Sequence, residues 1–577
     1  MRQNHLQNKS CWLSANAKLL YALIALLLIP LWTTQFVPTQ DGPLHIASAV
    51  TLVNYQNTGY ETARQYYELN DQIFLFPTWL VSLNIGWLSG VFSALIAEKI
   101  VLTLFIIGLP LAFCFAIRPL TDSPQLGGLL VLPLVYNYLL HMGFYAFLLG
   151  LVMLFILIGI WLRSQQQSTI SITIAACLAS YFTFHVHPFA WVMMALALGC
   201  IELFYYFSKL RSQSNWAGRF ATVGQVFLKR WHLYLLTIAP GMLHTLVFLT
   251  MQGSTTGSFA SKVSERLGTT NAAVAFAAKR FDMLIDRIVG LASLSSLVSF
   301  SYVEMVLSFG VMSSLILLTF LTLRSTARAS EWSPRLCFLM LSLCYIVFYL
   351  LAKNSMAGGG FIPPRVQLLA LLSYIAWLAS SSALPRFRVL VRILSVVLVG
   401  LSVLYYTFRY QEFSHALDRE VSLAIHMKEG TTVMPVVLPD SVRIPVILDH
   451  LTPNPMLHAS GHFVYRRNMV DLSNIKGWRG YFPLRFRPDY NPMRHIAVNG
   501  KIELSKNKRL PDLVLDGHGD GNVFVDYVVV VGLIDNYNEY PEIDNLIAQL
   551  ERSYNIVSRK PGVPPVTLFR HKESDPP

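Results

Sequence analysis

Apolar runs that are long enough, or nearly long enough, to cross a lipid bilayer recur through the first 407 residues and constrain the fold more than any other feature. The eleven runs lie near residues 18–32, 100–117, 126–140, 143–162, 169–186, 188–207, 233–251, 304–323, 336–352, 366–381 and 389–407. Hydrophobic residues make up 54% of the 577 residues and charged residues only 13%, so the surplus of apolar side chains has to meet lipid. We therefore predict a polytopic α-helical membrane protein with about 11 transmembrane helices.

The composition changes near residue 407, after which the chain has the charge density of a soluble domain. Residues 408–577 hold 20 Lys and Arg and 20 Asp and Glu. The segments whose patterns indicate strand, strand, helix, strand and strand lie at 433–438, 523–531, 542–552, 554–558 and 566–569. We predict a transmembrane domain over residues 1–407 and a small C-terminal α/β domain over residues 408–577.

The net charge of +13 lies entirely in residues 1–407, where 25 Lys and Arg accompany 12 Asp and Glu. These basic residues are scattered singly or in pairs between apolar runs, without the basic groove that nucleic acid requires, so nucleic-acid binding is not expected. Three short basic stretches in the tail, at 466–467, 485–487 and 506–509, fit either a solvated surface or contact with an acidic polymer or lipid headgroups.

The orientation in the membrane depends on the apolar stretch 74–93, which Pro77, Asn84 and Gly86 interrupt. If this stretch lies along the outer surface, 16 basic residues fall in cytoplasmic segments and 9 in outer loops, as the positive-inside rule requires. If it crosses the membrane, the rule fails. We therefore expect surface helices within an outer loop over residues 38–98.

An odd number of spans then gives a cytoplasmic N-terminus and an extracytoplasmic C-terminal domain. No N-x-S/T acceptor occurs in the segments assigned to the outside, which favours a periplasm over an ER lumen. The expected location is a bacterial inner membrane. The six cysteines avoid the tail and include no CxxC pair, so neither a structural zinc site nor a disulfide framework is indicated.

Ionisable residues collect in the outer loops and at the outer helix ends of this topology. Such groups are costly near a bilayer and are functional candidates for that reason. The candidates are Asp41 and His45 in the first outer loop, His141 in a short turn, His185 and His187 in FHVHP, and Lys353 and Arg365 around KNSMAGGGFIPPR. Their convergence on one face predicts a site there.

Structural interpretations of these residues stay open beside the functional ones. Asp41, followed by Gly-Pro, is typical of a helix N-cap, and His45 one turn later shares its face. His185 and His187 form a weak metal motif but also suit hydrogen bonding at a helix end. Arg365 follows two prolines and either extends its charge toward water or holds a phosphate with its planar guanidinium.

The layout around Asp41 resembles the GT-C superfamily of membrane glycosyltransferases, the protein-mannosyltransferase-like and aminoarabinose-transferase-like group. The matching features are VPTQDGPLHIASA at 37–49, the surface stretch FPTWLVSLNIGWLSG at 76–90 and PPRV at 363–366. The resemblance in layout covers the whole chain. Many relatives have two adjacent acidic residues or DxD, whereas here Gly42 follows Asp41, and no acidic residue occurs at 137–142.

The resemblance implies a glycosyltransferase that moves a sugar from a polyprenyl-phosphate donor to a hydroxyl of a glycan, lipid or protein acceptor. It implies Asp41 as general base, with His45 beside it, and Arg365 on the donor phosphate, helped by Lys353. His141, His185 and His187 are further substrate-binding candidates. No cofactor is expected, and a divalent metal is an alternative that the sequence does not support.

Two other classes remain as alternatives. A transporter or lipid flippase carries ionisable residues near the middle of the membrane and often shows internal repeats, neither of which is evident here. A non-catalytic scaffold for envelope assembly would depend on the C-terminal domain instead of on Asp41 and Arg365.

Overall fold

The computed structural model describes the chain in twelve segments. These are residues 14–70, 78–165, 169–212, 216–253, 282–326, 334–355, 359–438, 452–478, 482–497, 512–515, 523–532 and 541–574.

Helices dominate the first three quarters of the chain. In order they are α1 Ala15–Leu27, α2 Ile29–Trp32, α3 Gly42–Asn54, α4 Glu61–Tyr66, α5 Trp79–Ser89, α6 Ala94–Ile117, α7 Pro124–Val131, α8 Tyr138–His141, α9 Tyr145–Ser164, α10 Ile170–Val186, α11 Pro188–Ser212, α12 Trp216–Gly253, α13 Tyr302–Thr326, α14 Leu336–Leu351, α15 Ile362–Ala379 and α16 Arg388–Val421. Residues 282–292 are helical as well. Serine or threonine caps α1, α6 and α10 by accepting a backbone N–H, which is the ordinary start of a helix.

Seven helical segments of the described chain are long and apolar enough to cross a membrane. They are Ala15–Trp32, Ala94–Leu120, Tyr145–Ser164, Pro188–Ser208, Tyr302–Ser325, Ile362–Ala379 and Leu384–His426. The remaining predicted runs also lie on helices, but α10 and α14 are shorter, the run at 126–140 is divided among α7, α8 and a turn, and 233–251 is part of the long α12. The predicted count of about eleven spans is therefore not confirmed, whereas a helical fold suited to a membrane is.

The stretch expected on the membrane surface contains only the 11-residue helix α5. At a rise of ~1.5 Å per residue this helix covers roughly 16 Å, which is too short for a hydrocarbon core of about 30 Å. Trp87 is 66% exposed on it, as suits an interfacial side chain. Residues 74–77 of the predicted stretch lie outside the described residues.

The C-terminal domain is built on a five-stranded mixed sheet. Its strands are β2 Thr432–Val437, β3 Val470–Asp471, β5 Tyr527–Val531, β6 Tyr554–Lys560 and β7 Val566–His571, in the order β3-β2-β5-β7-β6. The central pair β2 and β5 is parallel, with Val433 opposite Tyr527, and β7 pairs antiparallel with β5 and β6. All residues of β2 and β5 are buried, which explains why their sequences are continuous apolar runs.

Short helices complete the domain, namely α17 Gly461–Arg467, α18 Ile475–Trp478, α19 Pro492–His495 and α20 Pro541–Ser553. The boundary predicted at residue 407 falls inside a continuous helix, because α16 runs on to Val421 before the sheet begins. This helix joins the apolar helical part of the chain to the domain without a linker.

The first outer loop and the domain are joined by backbone pairing. β1, Tyr67–Leu69, runs antiparallel to β4, Leu484–Phe486, and the ring of Tyr67 stacks on that of Phe486 at a centroid distance of 4.4 Å. Arg485 pairs with Glu68 at 2.7 Å, so this basic stretch of the tail serves the contact with the loop. Arg467 contacts Glu429, whereas the stretch 506–509 lies outside the described residues. The domain is therefore docked on residues 38–98.

Candidate functional site

Asp41 lies where the predicted outer loop, residues 38–98, meets a turn between α8 and α9. Its backbone N–H donates to the carbonyl of Met142 at 3.3 Å, and that of Gln40 donates to the carbonyl of His141 at 2.9 Å. Gly143 follows in this turn with φ +79°, and a Cβ there would lie 2.8 Å from the backbone nitrogen of Asp41. Only glycine combines this backbone conformation with such a close approach. The turn thereby fixes the backbone of Asp41.

The side chain of Asp41 does not cap helix α3. Asp41 precedes α3 but makes no capping hydrogen bond to it among the described residues. Its Oδ1 lies 3.6 Å from Nε2 of His458, and the side-chain amide of Gln40 donates to the same oxygen at 3.4 Å. The Asp41 side chain is 16% exposed. The capping interpretation therefore fails, and the carboxylate is left near residues of the C-terminal domain.

His45 shares the face of Asp41, as the i+4 spacing predicts. Its Nε2 donates to the carbonyl of Gly143 at 3.0 Å, and its ring stacks on Tyr145 at a centroid distance of 4.9 Å. Burial and the positive charge of Lys476 lower the pKa of His45, against a smaller raising effect of the Gly143 carbonyl. The ring is therefore neutral at pH 7. Its Nδ1 then carries a lone pair, and this buried atom has no hydrogen-bond partner among the described residues.

The buried acid Glu98, which sequence reasoning did not select, lies against Gly42, the residue after Asp41. Tyr145 donates its hydroxyl proton to Glu98 Oε1 at 2.6 Å, and the Thr39 hydroxyl lies 2.6 Å from the same phenol oxygen. A Cβ on Gly42 would collide with all three of these side chains, so glycine is needed next to Asp41. Glu98 lies at the edge of an apolar run, where one acidic residue is the only signal that could have identified it.

Lys476 of the C-terminal domain supplies a positive charge near Asp41. It lies on α18, is only 6% exposed, and has no hydrogen-bond partner for its Nζ among the described residues. Burial lowers the pKa of Lys476, while the negative charge of Asp41 raises it. Burial and the charge of Lys476 also lower the pKa of His458 to about 3, so His458 is neutral at pH 7. Sequence reasoning missed both residues, since only the docking of the domain brings them to Asp41.

The docking that brings these residues to Asp41 is a close backbone contact. Gly461, at the start of α17, faces the start of α3, and a Cβ on it would lie 2.5 Å from the carbonyl oxygen of Pro43. The backbone N–H of Asn454 also donates to the side-chain carbonyl of Gln40 at 3.1 Å. The domain therefore forms one wall of the site.

Arg365 lies in the first turn of α15 and is 7% exposed. Its guanidinium carbon lies 4.6 Å from the ring centroid of Phe144 and 5.3 Å from that of Phe147, and its Nη1 lies 3.3 Å from Nε2 of His187. Aromatic faces attract such a cation. The structure therefore holds Arg365 inside the protein, which contradicts the interpretation that it extends toward water.

The turn after α8 connects Asp41 with Arg365. The backbone of Asp41 contacts Met142 and Gly143, and the guanidinium of Arg365 packs on the ring of Phe144, the next residue. Two residues predicted from separate parts of the sequence therefore contact the same turn.

The other predicted residues lie in different surroundings. His141 is fully buried, with Nδ1 2.7 Å from the Ser299 hydroxyl and Nε2 3.0 Å from that of Tyr410, so both ring nitrogens are used within the fold. The ring of His185 packs against Tyr181, at 4.5 Å between centroids. These contacts hold His141 and His185 within the packing of the fold.

His187 and Lys353 differ in their relation to Arg365. His187 contacts Arg365 directly, and its Nε2 accepts from the Arg365 guanidinium at 3.3 Å. Lys353 is exposed beyond the end of α14, and no contact joins it to Arg365 in the part of the chain that the structure describes. Of the seven predicted residues, the structure brings together Asp41, His45, Arg365 and His187 around the turn at Gly143 and Phe144.

A carboxylate between two cations, in a partly enclosed site, suits proton abstraction beside a negatively charged group. Within the described ranges, no group of three or more His, Cys, Asp or Glu side chains is arranged to hold a metal ion. No family model matches the sequence, and no curated protein is significantly similar to it.

Proposed function

We propose that this protein is a membrane glycosyltransferase that moves a sugar from a polyprenyl-phosphate donor to an acceptor hydroxyl. The observation that carries the proposal is that one turn holds two opposite charges, since Gly143 lies against the backbone of Asp41 and the guanidinium of Arg365 packs on the ring of Phe144, the next residue. A base and a phosphate-binding cation are the two groups that this transfer needs. The resemblance of the layout to the GT-C superfamily supports the same reaction.

In the proposed reaction the acceptor hydroxyl attacks the anomeric carbon in a single displacement. Asp41 takes the hydroxyl proton, which contributes roughly 10²–10⁴-fold to the rate of such reactions. The bond from the anomeric carbon to the phosphate oxygen breaks, the electron pair leaves with the phosphate, and the configuration inverts. Arg365 stabilises the charge that develops on that oxygen, with His187 and the rings of Phe144 and Phe147 fixing its guanidinium.

The remaining residues position this machinery. The turn at Gly143 holds the backbone of Asp41, and the Tyr145–Glu98–Thr39 hydrogen bonds support the segment beneath it. We further propose that the site faces the periplasm of a bacterial inner membrane, because a lipid donor presents its phosphate at the membrane surface and the positive-inside count favours this orientation.

The test is transfer of a labelled sugar from polyprenyl phosphate by the full chain in proteoliposomes. Asp41→Asn keeps the shape of the side chain and removes the base, so we expect the rate to fall by at least 100-fold. Arg365→Gln is expected to weaken donor binding and slow transfer. Asp418→Asn, an exposed acid on α16, is the matched control and should keep the wild-type rate.

Wild-type transfer by Asp41→Asn would refute the base assignment. If the wild-type protein transferred no labelled sugar to any acceptor in an envelope extract, the glycosyltransferase proposal itself would be wrong.

A further inference from the structure

Glu304 is a buried acid that plays no part in the chemistry described above. It lies in the first turn of α13, and only 1% of its surface is exposed. Its Oε2 accepts the backbone N–H groups of Ser299, Phe300 and Ser301, as a glutamate in the first turn of a helix commonly does. This capping role accounts for one oxygen of the carboxylate and leaves the other unexplained.

The second oxygen of Glu304, Oε1, is buried and has no hydrogen-bond partner among the described residues. The Tyr406 hydroxyl interacts with the carboxylate without satisfying this oxygen. No Lys or Arg nitrogen of the described chain lies within 4.0 Å of Glu304. Backbone N–H donors favour the charged form of a carboxylate, and a buried charge is costly without a counter-charge. Glu304 therefore needs a positive charge that the described side chains do not supply.

Glu304 lines a cavity between α13 and α16 together with three hydroxyl side chains. Ser308 lies one turn after Glu304 on α13, and Ser402 and Tyr406 lie one turn apart on α16. The remaining lining residues are apolar or aromatic. The cavity spans about 290 Å³, but its walls leave room for only about one particle the size of a water molecule. The cavity therefore offers one carboxylate and three hydroxyls to one small particle.

The hydroxyl groups are held at the cavity by contacts of their own. Ser308 donates its proton to the carbonyls of Ser293 and Met305, both at 2.8 Å, so its oxygen lone pairs remain for a cation. The ring of Tyr136 stacks on that of Tyr406 at a centroid distance of 4.6 Å, which fixes the phenol at the cavity wall. The arrangement therefore presents oxygen atoms from two helices at fixed positions.

The charge and size of the cavity select the kind of ion. The carboxylate repels an anion, whereas oxygen ligands suit a hard cation. Ca²⁺ takes more oxygen ligands than these four side chains supply, and Mg²⁺ keeps several waters, for which there is no room. One carboxylate neutralises one positive charge, and four oxygens suit Na⁺ better than the larger K⁺.

We propose that Glu304, Ser308, Ser402 and Tyr406 bind a Na⁺ ion between α13 and α16. Oε1 of Glu304 neutralises the ion, and the three hydroxyl oxygens complete its shell, while Oε2 keeps its backbone contacts. This site does not depend on the proposed glycosyl transfer.

Hydrogen bonds connect the ion site to the segment that holds Asp41. The backbone of Ser299 donates to Glu304, and the Ser299 hydroxyl lies 2.7 Å from Nδ1 of His141. The carbonyl of His141 accepts the backbone N–H of Gln40, the residue before Asp41, at 2.9 Å. An ion that fixes Glu304 therefore stabilises this segment, and Na⁺ stabilises the folded protein by mass action.

The experiment measures the thermal unfolding midpoint of the full chain in phosphatidylcholine nanodiscs as Na⁺ replaces choline at constant chloride and ionic strength. A ligand that binds only the folded state raises the midpoint once its concentration exceeds Kd. We expect a rise of about 1–3 °C for each further tenfold increase in Na⁺. K⁺ in place of Na⁺ should raise the midpoint less.

Three variants assign the effect to the site. Glu304→Gln keeps the shape of the side chain and removes the charge, so its midpoint should not respond to Na⁺. Ser402→Ala removes one ligand and leaves the backbone contacts of Glu304 intact, so it decides the question if Glu304→Gln does not fold. We expect it to weaken the apparent Na⁺ affinity by roughly 3–10-fold, as for the loss of one neutral polar contact. Asp418→Asn, an exposed acid on α16, is the matched control and should respond as the wild type does.

Equal wild-type midpoints in Na⁺ and choline would overturn the site, as would a wild-type Na⁺ response in Glu304→Gln or in Ser402→Ala. Equal effects of Na⁺ and K⁺ would overturn the assignment to Na⁺. The measurement contains no sugar donor, so its outcome is independent of the transfer assay.

Discussion

Gly143→Ala tests whether the turn after α8 positions Asp41. The substitution adds one methyl group at φ +79°, a conformation that costs an L-residue roughly 1–2 kcal/mol. The new Cβ would also lie 2.8 Å from the backbone nitrogen of Asp41, 2.9 Å from that of Gly42 and 3.0 Å from the Asp41 Cα. All three are backbone atoms, so no side chain can turn aside, and overpacking of this kind costs typically 1–3 kcal/mol. The expected loss of folding free energy is therefore about 2–5 kcal/mol.

The same overlap predicts the effect on activity. The Asp41 segment has to shift by several tenths of an ångström to admit the methyl group, and a displacement of about 1 Å can cost 10²-fold in rate. We expect the transfer rate of Gly143→Ala in proteoliposomes to fall by roughly 10–100-fold, with little change in donor KM because Arg365 does not move.

Gly430→Ala is the matched control. Gly430 has φ +67°, but its nearest neighbour for a Cβ is the Thr62 hydroxyl at 3.6 Å, so alanine there carries the conformational cost without the overlap. Its thermal unfolding midpoint should fall less than that of Gly143→Ala, and its transfer rate should stay at wild type. Equal midpoints in the two variants, or a wild-type rate for Gly143→Ala, would refute the reasoning.

Two further predictions concern groups around Asp41. Tyr145→Phe removes the hydroxyl that donates to Glu98 and leaves a buried acceptor unsatisfied, which costs about 1–3 kcal/mol. We therefore expect a lower thermal unfolding midpoint and slower transfer. An unchanged midpoint would mean that this hydrogen bond does not stabilise the segment around Asp41. His458→Gln should flatten the pH dependence of stability. The pKa of His458 is about 3 in the folded protein and near 6.5 when unfolded, so its contribution is present above pH 6.5 and is lost as the pH falls toward 3. Between pH 7 and pH 5 the contribution of His458 falls by about 2 kcal/mol. Because His45 also has a lowered pKa, the assay compares the unfolding free energies of wild type and variant at both pH values. Equal changes in the two proteins would contradict the prediction.

The sequence predicted those parts of the fold whose signal is local. The β2 and β5 runs were recognisable because strands buried on both faces are continuous in Val. The predicted 433–438 differs by one residue at each end from Thr432–Val437, and the predicted 523–531 begins four residues before Tyr527–Val531 and ends with it. The domain boundary predicted at residue 407 follows hydropathy, which falls there, while the helical hydrogen bonds of α16 continue to Val421. A fall in hydropathy marks the end of the segment that suits lipid, whereas the last backbone hydrogen bonds mark the end of the helix, and the two need not coincide.

The sequence predicted only those site residues that belong to the apolar part of the chain, and none from the C-terminal domain. Asp41, His45 and Arg365 could be selected because ionisable residues are rare beside apolar runs. Lys476 and His458 could not, because one lysine among 20 basic residues of a soluble domain carries no local signal. His141 was selected on the same ground, and in the structure both of its ring nitrogens lie in hydrogen bonds of the core, so its part in substrate binding stays a prediction.

The C-terminal domain is part of the site, because it supplies Lys476, one of the two basic side chains near Asp41. Burying the Asp41 carboxylate beside Arg365 alone would leave it near one cation whose planar group faces aromatic rings and His187. Docking of the domain, through β1–β4 pairing and the Gly461–Pro43 contact, adds Lys476 near the same carboxylate, whose side chain is 16% exposed. A lower local dielectric strengthens each of these interactions. The domain therefore has to be docked for Asp41 to experience both cations, and a reaction that depends on Asp41 depends on that docking.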